Sequence, residues 1–440
     1  MQNRFDRKII IGLILATTLP FLLLFINLSE VLPITNSGDF WAKFVFITAN
    51  VSGLIGTILL VWSFLLGIRS LVLLITPDLI WVLKVHKWIG KYGLLLVFVH
   101  PILEMIYYLE GIDWLFVPNL STETQVYITV GRFAFILFLV IYLTSAVLRS
   151  RLKYRPWLYI HYLSYPMLFL TFLHANSIGT YLNKYLGLKT LWFALLFLFQ
   201  ILVIYRIVEW AGWLKPKYKV ISKSKPTENI VILVFQPAGR SIKAIPGQFI
   251  FMQIKHFGES HPFSVMEFDE NTGQITIGIK TTGIFTKKME YLDIGSRVMF
   301  SGPFGIFTRE AHNDKPKVLI AGGIGITPFV DVINKFCNDQ TILLYSNKLS
   351  SQILFHDKFK TLMGLNYTAF VTQEEGVNKS NIVYHRIDKD ILLRLIGGQK
   401  LANNYQYFLC GSPDFITSMV DILKSNKVNT SQIYTEKFSY

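Results

Sequence analysis

Charge is scarce in this chain. Lys, Arg, Asp and Glu make up 16% of its 440 residues, against about 25% in soluble globular proteins. The shortage lies in residues 1–210, which are strongly apolar, while 215–440 have the mixture of a soluble protein. Cysteine is scarcer still: Cys337 and Cys410 are the only two. Two distant cysteines give no disulfide framework and fit a reducing compartment. Acidic residues are outnumbered by basic ones, 28 to 43, for a net charge of +15. That charge would suit nucleic acid, but no RNP, zinc-finger or helix-turn-helix pattern accompanies it. Many basic residues instead flank apolar stretches, as topology determinants do. A lipid bilayer is the expected partner, and nucleic acid is not.

A helical span needs about 20 mostly apolar residues. Six stretches qualify: Ile9–Leu28, Phe44–Ile68, His86–Leu109, Tyr127–Leu148, Pro156–Ala175 and Leu188–Val208. Leu71–Leu83 is too short and holds Pro77 and Asp78, so it reads as interfacial. The first stretch is long and lacks a small-residue cleavage site, which predicts a retained helix and not a removed signal peptide. The connections sort by charge. Arg4, Arg7, Lys8, Arg69, Lys84, Lys87, Arg149, Arg151, Lys153, Arg155, Lys215, Lys217 and Lys219 fall on one side. Glu30, Asp39, Glu110, Asp113 and Glu123 fall on the other, with Lys43, Lys184 and Lys189 as exceptions. The basic side is expected to be cytoplasmic, with both termini inside, and the natural site is the cell membrane. Spans three and five then run in the same direction.

Histidine is the informative rarity. Residues 1–210 contain four: His86 and His100 in span three, fourteen apart, and His161 and His174 in span five, thirteen apart. An ionisable residue inside a span is costly and is a functional candidate by default. Fourteen helical residues cover about 21 Å and return to within roughly 40° of the starting face. Parallel spans would thus set His86 opposite His161 and His100 opposite His174, each pair clamping one haem iron. One such histidine alone would read more simply as bonding a neighbouring helix. Thirteen residues leave His174 off the face of His161, and Pro166 between them predicts a kink that re-aims it. Arg69 and Arg132 are candidates to meet haem propionates, or to snorkel to the interface. Arg132, inside an apolar stretch, would also place positive charge where an anion forms.

From Val220 onward, short alternating strands separated by turn residues predict a small antiparallel barrel. His261-Pro262-Phe263-Ser264 and the segment Lys280–Thr286 punctuate it. A flavin needs a flat apolar surface, a hydroxyl and donors for its pyrophosphate. Phe263 and Ser264 are candidates for the first two, and Lys280, Gly283 and Thr286 for the third. Past residue 312 the pattern becomes strand, glycine-rich turn and helix. Gly322, Gly323 and Gly325 would let backbone approach a pyrophosphate at a helix N-terminus, with Thr327 as cap and Pro328 in the first turn. Cys410 and Gly411 end a later strand, at the carboxyl edge where such sheets bind ligands. Strand TILLYSNKL lacks a terminal acid to grip a ribose hydroxyl, and Lys348 suits a phosphate there. The expected nucleotide is NADPH, with NADH the alternative.

Taken in order, the paired histidines, HPFS, GIFT, GGIGITP, Cys-Gly and the terminal aromatic resemble the NADPH oxidase and ferric reductase superfamily, in a short, bacterial-type form. The resemblance covers the whole chain. It implies a membrane all-α six-helix di-haem bundle (1–214) and a ferredoxin–NADP reductase-like cytosolic module. The module would comprise an antiparallel β-barrel FAD domain (215–312) and an α/β Rossmann-like NAD(P) domain (313–440). It implies that His86 and His161 hold an inner b-type haem and His100 and His174 an outer one. The FAD motif would be His261–Ser264 and Thr286, the nicotinamide site Gly322–Pro328 with Cys410, and the ring over the flavin Phe438 or Tyr440. Cys-Gly-Ser-Pro stands where many relatives have Cys-Gly-Pro-Pro. The expected activity is electron transfer from NAD(P)H through FAD and two haems to dioxygen, yielding superoxide. Reduction of a ferric chelate is the alternative, and non-enzymatic haem transport or sensing a third. No obligate protein partner is called for.

Overall fold

The computed structural model describes residues 2–22, 40–377, 381–398 and 402–437. The chain divides into two compact units, 1–208 and 209–440.

The first unit is helical: α1 (Gln2–Leu22), α2 (Phe40–Leu66), α3 (Leu79–Trp88), α4 (Leu95–Tyr107), α5 (Glu123–Tyr142), α6 (Tyr154–His161), α7 (Ser164–Ile178) and α8 (Leu186–Ala211). Among the described residues, four helical stretches are long and apolar enough to cross a membrane: Phe40–Leu66, Leu79–Tyr107, Glu123–Val147 and Leu186–Ala211. The most apolar 18-residue stretch of α2 is 67% buried, against 33% or less for the others, so α2 is the axis of the bundle. Its interior is aliphatic and aromatic, with Leu54, Ile58, Phe138, Phe172 and Trp192 in one cluster.

The first span's predicted end, Leu28, lies outside the described residues, and two other expectations need revision. The third span begins at Leu79, inside the segment read as interfacial. Asp78 caps it by accepting from the Trp81 N–H at 3.2 Å, and its other oxygen takes Arg7 at 2.6 Å. The fifth span is two helices, α6 and α7. Pro166 has no N–H for the Tyr162 carbonyl, which accepts from the Tyr165 N–H instead, at 3.1 Å. The tightened turn at Tyr162–Leu163 is the break, one turn before the proline itself. Span three also departs from an ideal helix. A π-helical turn, Ile89–Gly93, separates His86 from His100, so ideal-helix arithmetic does not describe their relative angle.

The second unit opens with a closed barrel in the order β1-β2-β5-β4-β3-β6. Its strands are β1 (Lys217–Thr227), β2 (Ile230–Pro237), β3 (Phe249–Gln253), β4 (Ser260–Phe268), β5 (Ile275–Lys280) and β6 (Arg297–Phe304). Alternating residues such as Val231, Leu233, Ile277 and Phe300 fill it. A parallel sheet follows: β7 (Lys317–Gly322), β8 (Thr341–Asn347), β9 (Tyr367–Val371), β10 (Ile382–Val383), β11 (Gln406–Gly411) and β12 (Ile433–Lys437). The order is β10-β9-β8-β7-β11-β12. The sequence runs outward from β7 to β10 and then returns to β11, on β7's other side. The carboxyl ends of β7 and β11 therefore flank a topological switch point, where open α/β sheets bind ligands. Helix α9 (Thr327–Phe336) follows β7, and α10 (Pro413–Ser425) follows β11.

Candidate functional site

The four histidines of the first unit form two pairs. The rings of His86 and His161 have centroids 6.2 Å apart, and those of His100 and His174 are 6.3 Å apart. Two imidazoles on opposite sides of one metal, with nitrogens about 2.0–2.1 Å away and ring radii of about 1.1 Å, would stand about 6.2–6.4 Å apart. The separation fits a shared metal.

The remaining ring nitrogens are engaged. Nδ1 of His86, His100 and His174 lies 2.8, 2.9 and 2.8 Å from the carbonyls of Ser63, Ala49 and Tyr127. Nδ1 of His161 lies 3.3 Å from the Ser145 hydroxyl. A carbonyl only accepts, so in the first three rings the proton sits on Nδ1 and Nε2 keeps its lone pair. Among the described residues no cluster of three or more His, Cys, Asp or Glu side chains gathers. Each donor set is thus two facing imidazoles, which would suit a metal whose other ligands come from something besides protein.

Glycines make room for the His100–His174 pair. A Cβ on Gly53 would lie 3.0 Å from the His100 ring, and one on Gly131 would lie 2.4 Å from Nδ1 of His174. A cavity of 260 Å³ opens beside these rings, lined also by Asn50, Glu104, Trp114 and Arg132. Arg132 is 7% exposed. Its guanidinium lies 5.0 Å from the Trp114 ring centre, one nitrogen reaches the Thr129 hydroxyl at 3.4 Å, and Nε has no protein partner. Sequence reasoning missed Glu104. It follows His100 by four residues, one turn along the same face, and accepts from Asn50 at 3.3 Å. The rule that singled out the histidines, an ionisable residue within a span, would have found it.

In the second unit the structure joins motifs that are far apart in sequence. The His261 ring stacks on Phe285 at 3.9 Å, which brings HPFS against GIFT. Phe263 lies 6.3 Å from the same ring, near parallel. Pro262 pairs with Phe251 across the β3–β4 ladder. Ser264 is buried, and its hydroxyl has no protein partner, as a group awaiting a ligand would. Lys280 ends β5. A Cβ at Gly283 would meet nothing nearer than the Thr286 hydroxyl at 3.9 Å, so the space beside it is open. Thr286 has a different job from the one expected. Its hydroxyl accepts from the Gly283 and Thr282 N–H groups at 2.9 and 3.1 Å and donates to the Gly283 carbonyl at 3.1 Å. That uses its full capacity on shaping the turn, with none left for a pyrophosphate.

The glycine-rich turn and the Cys410-Gly411 strand end meet at the switch point. A Cβ on Gly325 would sit 2.3 Å from the Cys410 carbonyl oxygen, and one on Gly322 would sit 2.8 Å from the Phe415 ring. Gly323 has φ +57, the left-handed region. Thr327 is not the helix cap. A 3-10 turn, Gly323–Ile326, leads into α9, and the Thr327 hydroxyl donates back to the Ile324 carbonyl at 3.0 Å. Pro328 stands in the first turn of α9. Ser412 caps α10 by accepting from Phe415 N–H at 3.4 Å. Burial beside Glu436 holds the Cys410 thiol well above its usual range, so it stays protonated. Glu436 is the second residue that sequence reasoning missed. It pairs with Cys410 across β11–β12, is 8% exposed, and its carboxyl is pushed up to about 7 by burial. Phe438 and Tyr440 lie outside the described residues.

Residues 52–172 match the model of a ferric reductase like transmembrane component. Residues 215–328 match an FAD-binding domain, and 319–421 an oxidoreductase NAD-binding domain. An uncharacterized protein in the adh 3′ region of Clostridium beijerinckii is 26% identical over 47% of this chain and 70% of its own length. Ferric reduction oxidase 5 of Arabidopsis thaliana is 24% identical over 58% of this chain and 35% of that protein. The flavohem-like FAD/NAD-binding domain of nitric oxide dioxygenase from Vibrio cholerae aligns at 19% identity and TM-score 0.45, over 51% of this chain and 98% of that one. The chain spans 60 to 70% of the length of the first curated relatives it matches. Joining a ferric reductase-like transmembrane component to FAD-binding and NAD-binding domains in one chain, this protein belongs to the NADPH oxidase and ferric reductase superfamily.

Proposed function

We propose that this protein moves electrons from NADPH, by way of FAD and two b-type haems, to dioxygen on the far side of a cell membrane, releasing superoxide. The observation that carries the reading is the pair of facing imidazole sets at 6.2 and 6.3 Å, every Nδ1 already engaged. FAD converts hydride into single electrons, and haem iron carries electrons singly. Within this chain His86 and His161 hold one iron, and His100 and His174 the other. With two histidines holding each iron, the acceptor would be met beside the His100–His174 pair, in the cavity that Arg132 and Glu104 line. The unpartnered Nε of Arg132 supplies a donor and positive charge there, where a small anion is stabilised. Phe263 and Ser264 offer the flavin a flat face and a free hydroxyl. Gly322, Gly323 and Gly325 admit the nucleotide's pyrophosphate to the start of α9, and Gly411 shares the switch point.

The protein's relation to a named ferric reduction oxidase favours a second acceptor, a ferric chelate, reached by the same residues. Anaerobic NADPH added to the FAD-loaded protein should reduce both haems, and admitted oxygen should reoxidise them with superoxide release. Haems that stay ferric under NADPH would sink the electron path. Haems that reoxidise with ferric chelate but not with oxygen would replace the acceptor.

A further inference from the structure

Three of the four imidazoles share one arrangement. Their Nδ1 groups donate to the carbonyls of Ala49, Ser63 and Tyr127. Each of those carbonyls stands four residues before a glycine: Gly53, Gly67 and Gly131. Residues four apart on a helix are neighbours on one face, so the glycine leaves the carbonyl uncovered. The first two glycines are fourteen residues apart. Fourteen residues beyond Gly131 stands Ser145, and there the fourth ligand departs from the pattern. Nδ1 of His161 meets a hydroxyl at 3.3 Å, not a carbonyl at 2.8–2.9 Å. The same oxygen accepts the indole N–H of Trp157 at 3.1 Å, and that indole stacks on His161 at 5.2 Å and 25°. If Nε2 of His161 holds a metal its Nδ1 carries the proton, and both lone pairs of the serine oxygen are then engaged.

We propose that Ser145 is a positioning residue that makes His161 the weakest electron donor of the four ligands and so raises the potential of the iron held by His86 and His161. The inference rests on the two-haem reading above. A strong acceptor at Nδ1 makes an imidazole more basic, and a more basic ligand favours ferric iron. A long bond to a hydroxyl already shared with an indole does this least. The two haem sites are therefore tuned apart by one side chain, while their ligands are alike.

The test is a spectroscopic redox titration of the full-length, haem-loaded protein, with the low-spin ferric EPR signals followed in parallel. Ser145→Ala replaces the acceptor with a methyl group and should raise one of the two potentials. Ser145→Thr keeps the hydroxyl and should restore the wild-type value. The expected change in the electron-sharing equilibrium between the haems is about tenfold, or about 59 mV for a one-electron couple. With two haems per chain, unmoved potentials in the Ala variant overturn the proposal. A potential that falls instead also overturns it, because that would mark ring packing and not donor strength. Wild-type protein that takes up no haem overturns the parent reading, and this one with it.

Discussion

The paired histidines and the glycine-rich turn use glycine differently. In the helical unit, Gly53 and Gly131 make room for side chains, the rings of His100 and His174. In the sheet, Gly325 makes room for backbone, the carbonyl of Cys410. The helical unit engages the second nitrogen of every ligand imidazole. Other polar atoms in both units are buried without protein partners, Arg132 Nε and Tyr181 Oη in the first and Ser264 Oγ, Asn347 Nδ2 and Glu436 Oε2 in the second. A buried polar atom without a partner costs about 1–3 kcal/mol. The four histidines are therefore oriented by protein atoms alone, whereas these other polar atoms stay unsatisfied until something besides protein reaches them.

The largest effect should come from breaking the backbone contact. Gly325→Ala puts a methyl 2.3 Å from a carbonyl oxygen with backbone on both sides, so neither partner can move cheaply. NADPH-driven haem reduction should fall by about 100-fold or more, while dithionite still reduces both haems. Preserved NADPH turnover would show that the turn has slack. Gly131→Ala tests the other use of glycine. It displaces His174 and should weaken retention of one haem by about 10–100-fold. Purified protein should then carry close to half the wild-type haem while keeping its flavin. Full haem content would mean that the ring can rotate aside.

Much of this arrangement was legible in the sequence, and what was not has physical causes. Six apolar runs were marked, of which four match helices long and apolar enough to cross a membrane among the described residues, and four histidines confined to two of the runs marked the pairs. Helix arithmetic did not describe their angles, because a π turn lies in one span and a broken turn in the other. Pro166 announced the break, but a missing N–H acts on the carbonyl four residues earlier, so the break falls at Tyr162–Leu163. Leu71–Leu83 misled because Asp78 looked like an interruption and is a cap. Ser145 and Glu436 carry no local mark. Their significance comes from a neighbour on another element, which a single sequence does not display.

Glu436 makes an unsatisfied buried group measurable by pH. Its carboxyl is raised to about 7 in the folded chain, against about 4.3 unfolded. Between those values the folded state binds the extra proton, so stability falls as pH rises, and the loss is complete above about pH 7. A shift of that size corresponds to about 4 kcal/mol. Glu436→Gln should remove the dependence. Flavin-free wild type should lose denaturant resistance between about pH 5 and 7, and the variant should lose markedly less. Equal pH profiles would mean that the carboxyl finds a partner.

The smallest expected effect is the most discriminating. Ser264 is buried with its hydroxyl unpaired, so in the flavin-free chain it costs stability and contributes nothing. If it waits for the flavin, Ser264→Ala should lower FAD affinity by about tenfold, the worth of a hydrogen bond of about 1–1.5 kcal/mol. The same change should leave the flavin-free chain as stable as before or slightly more so. A structural serine would behave the other way round, with lower stability and unchanged affinity. Fluorescence titration of FAD and urea unfolding of the flavin-free protein, run on the same preparation, separate the two. The opposite signs matter more than either magnitude, because a side chain whose removal helps the empty protein and harms the loaded one belongs to the ligand.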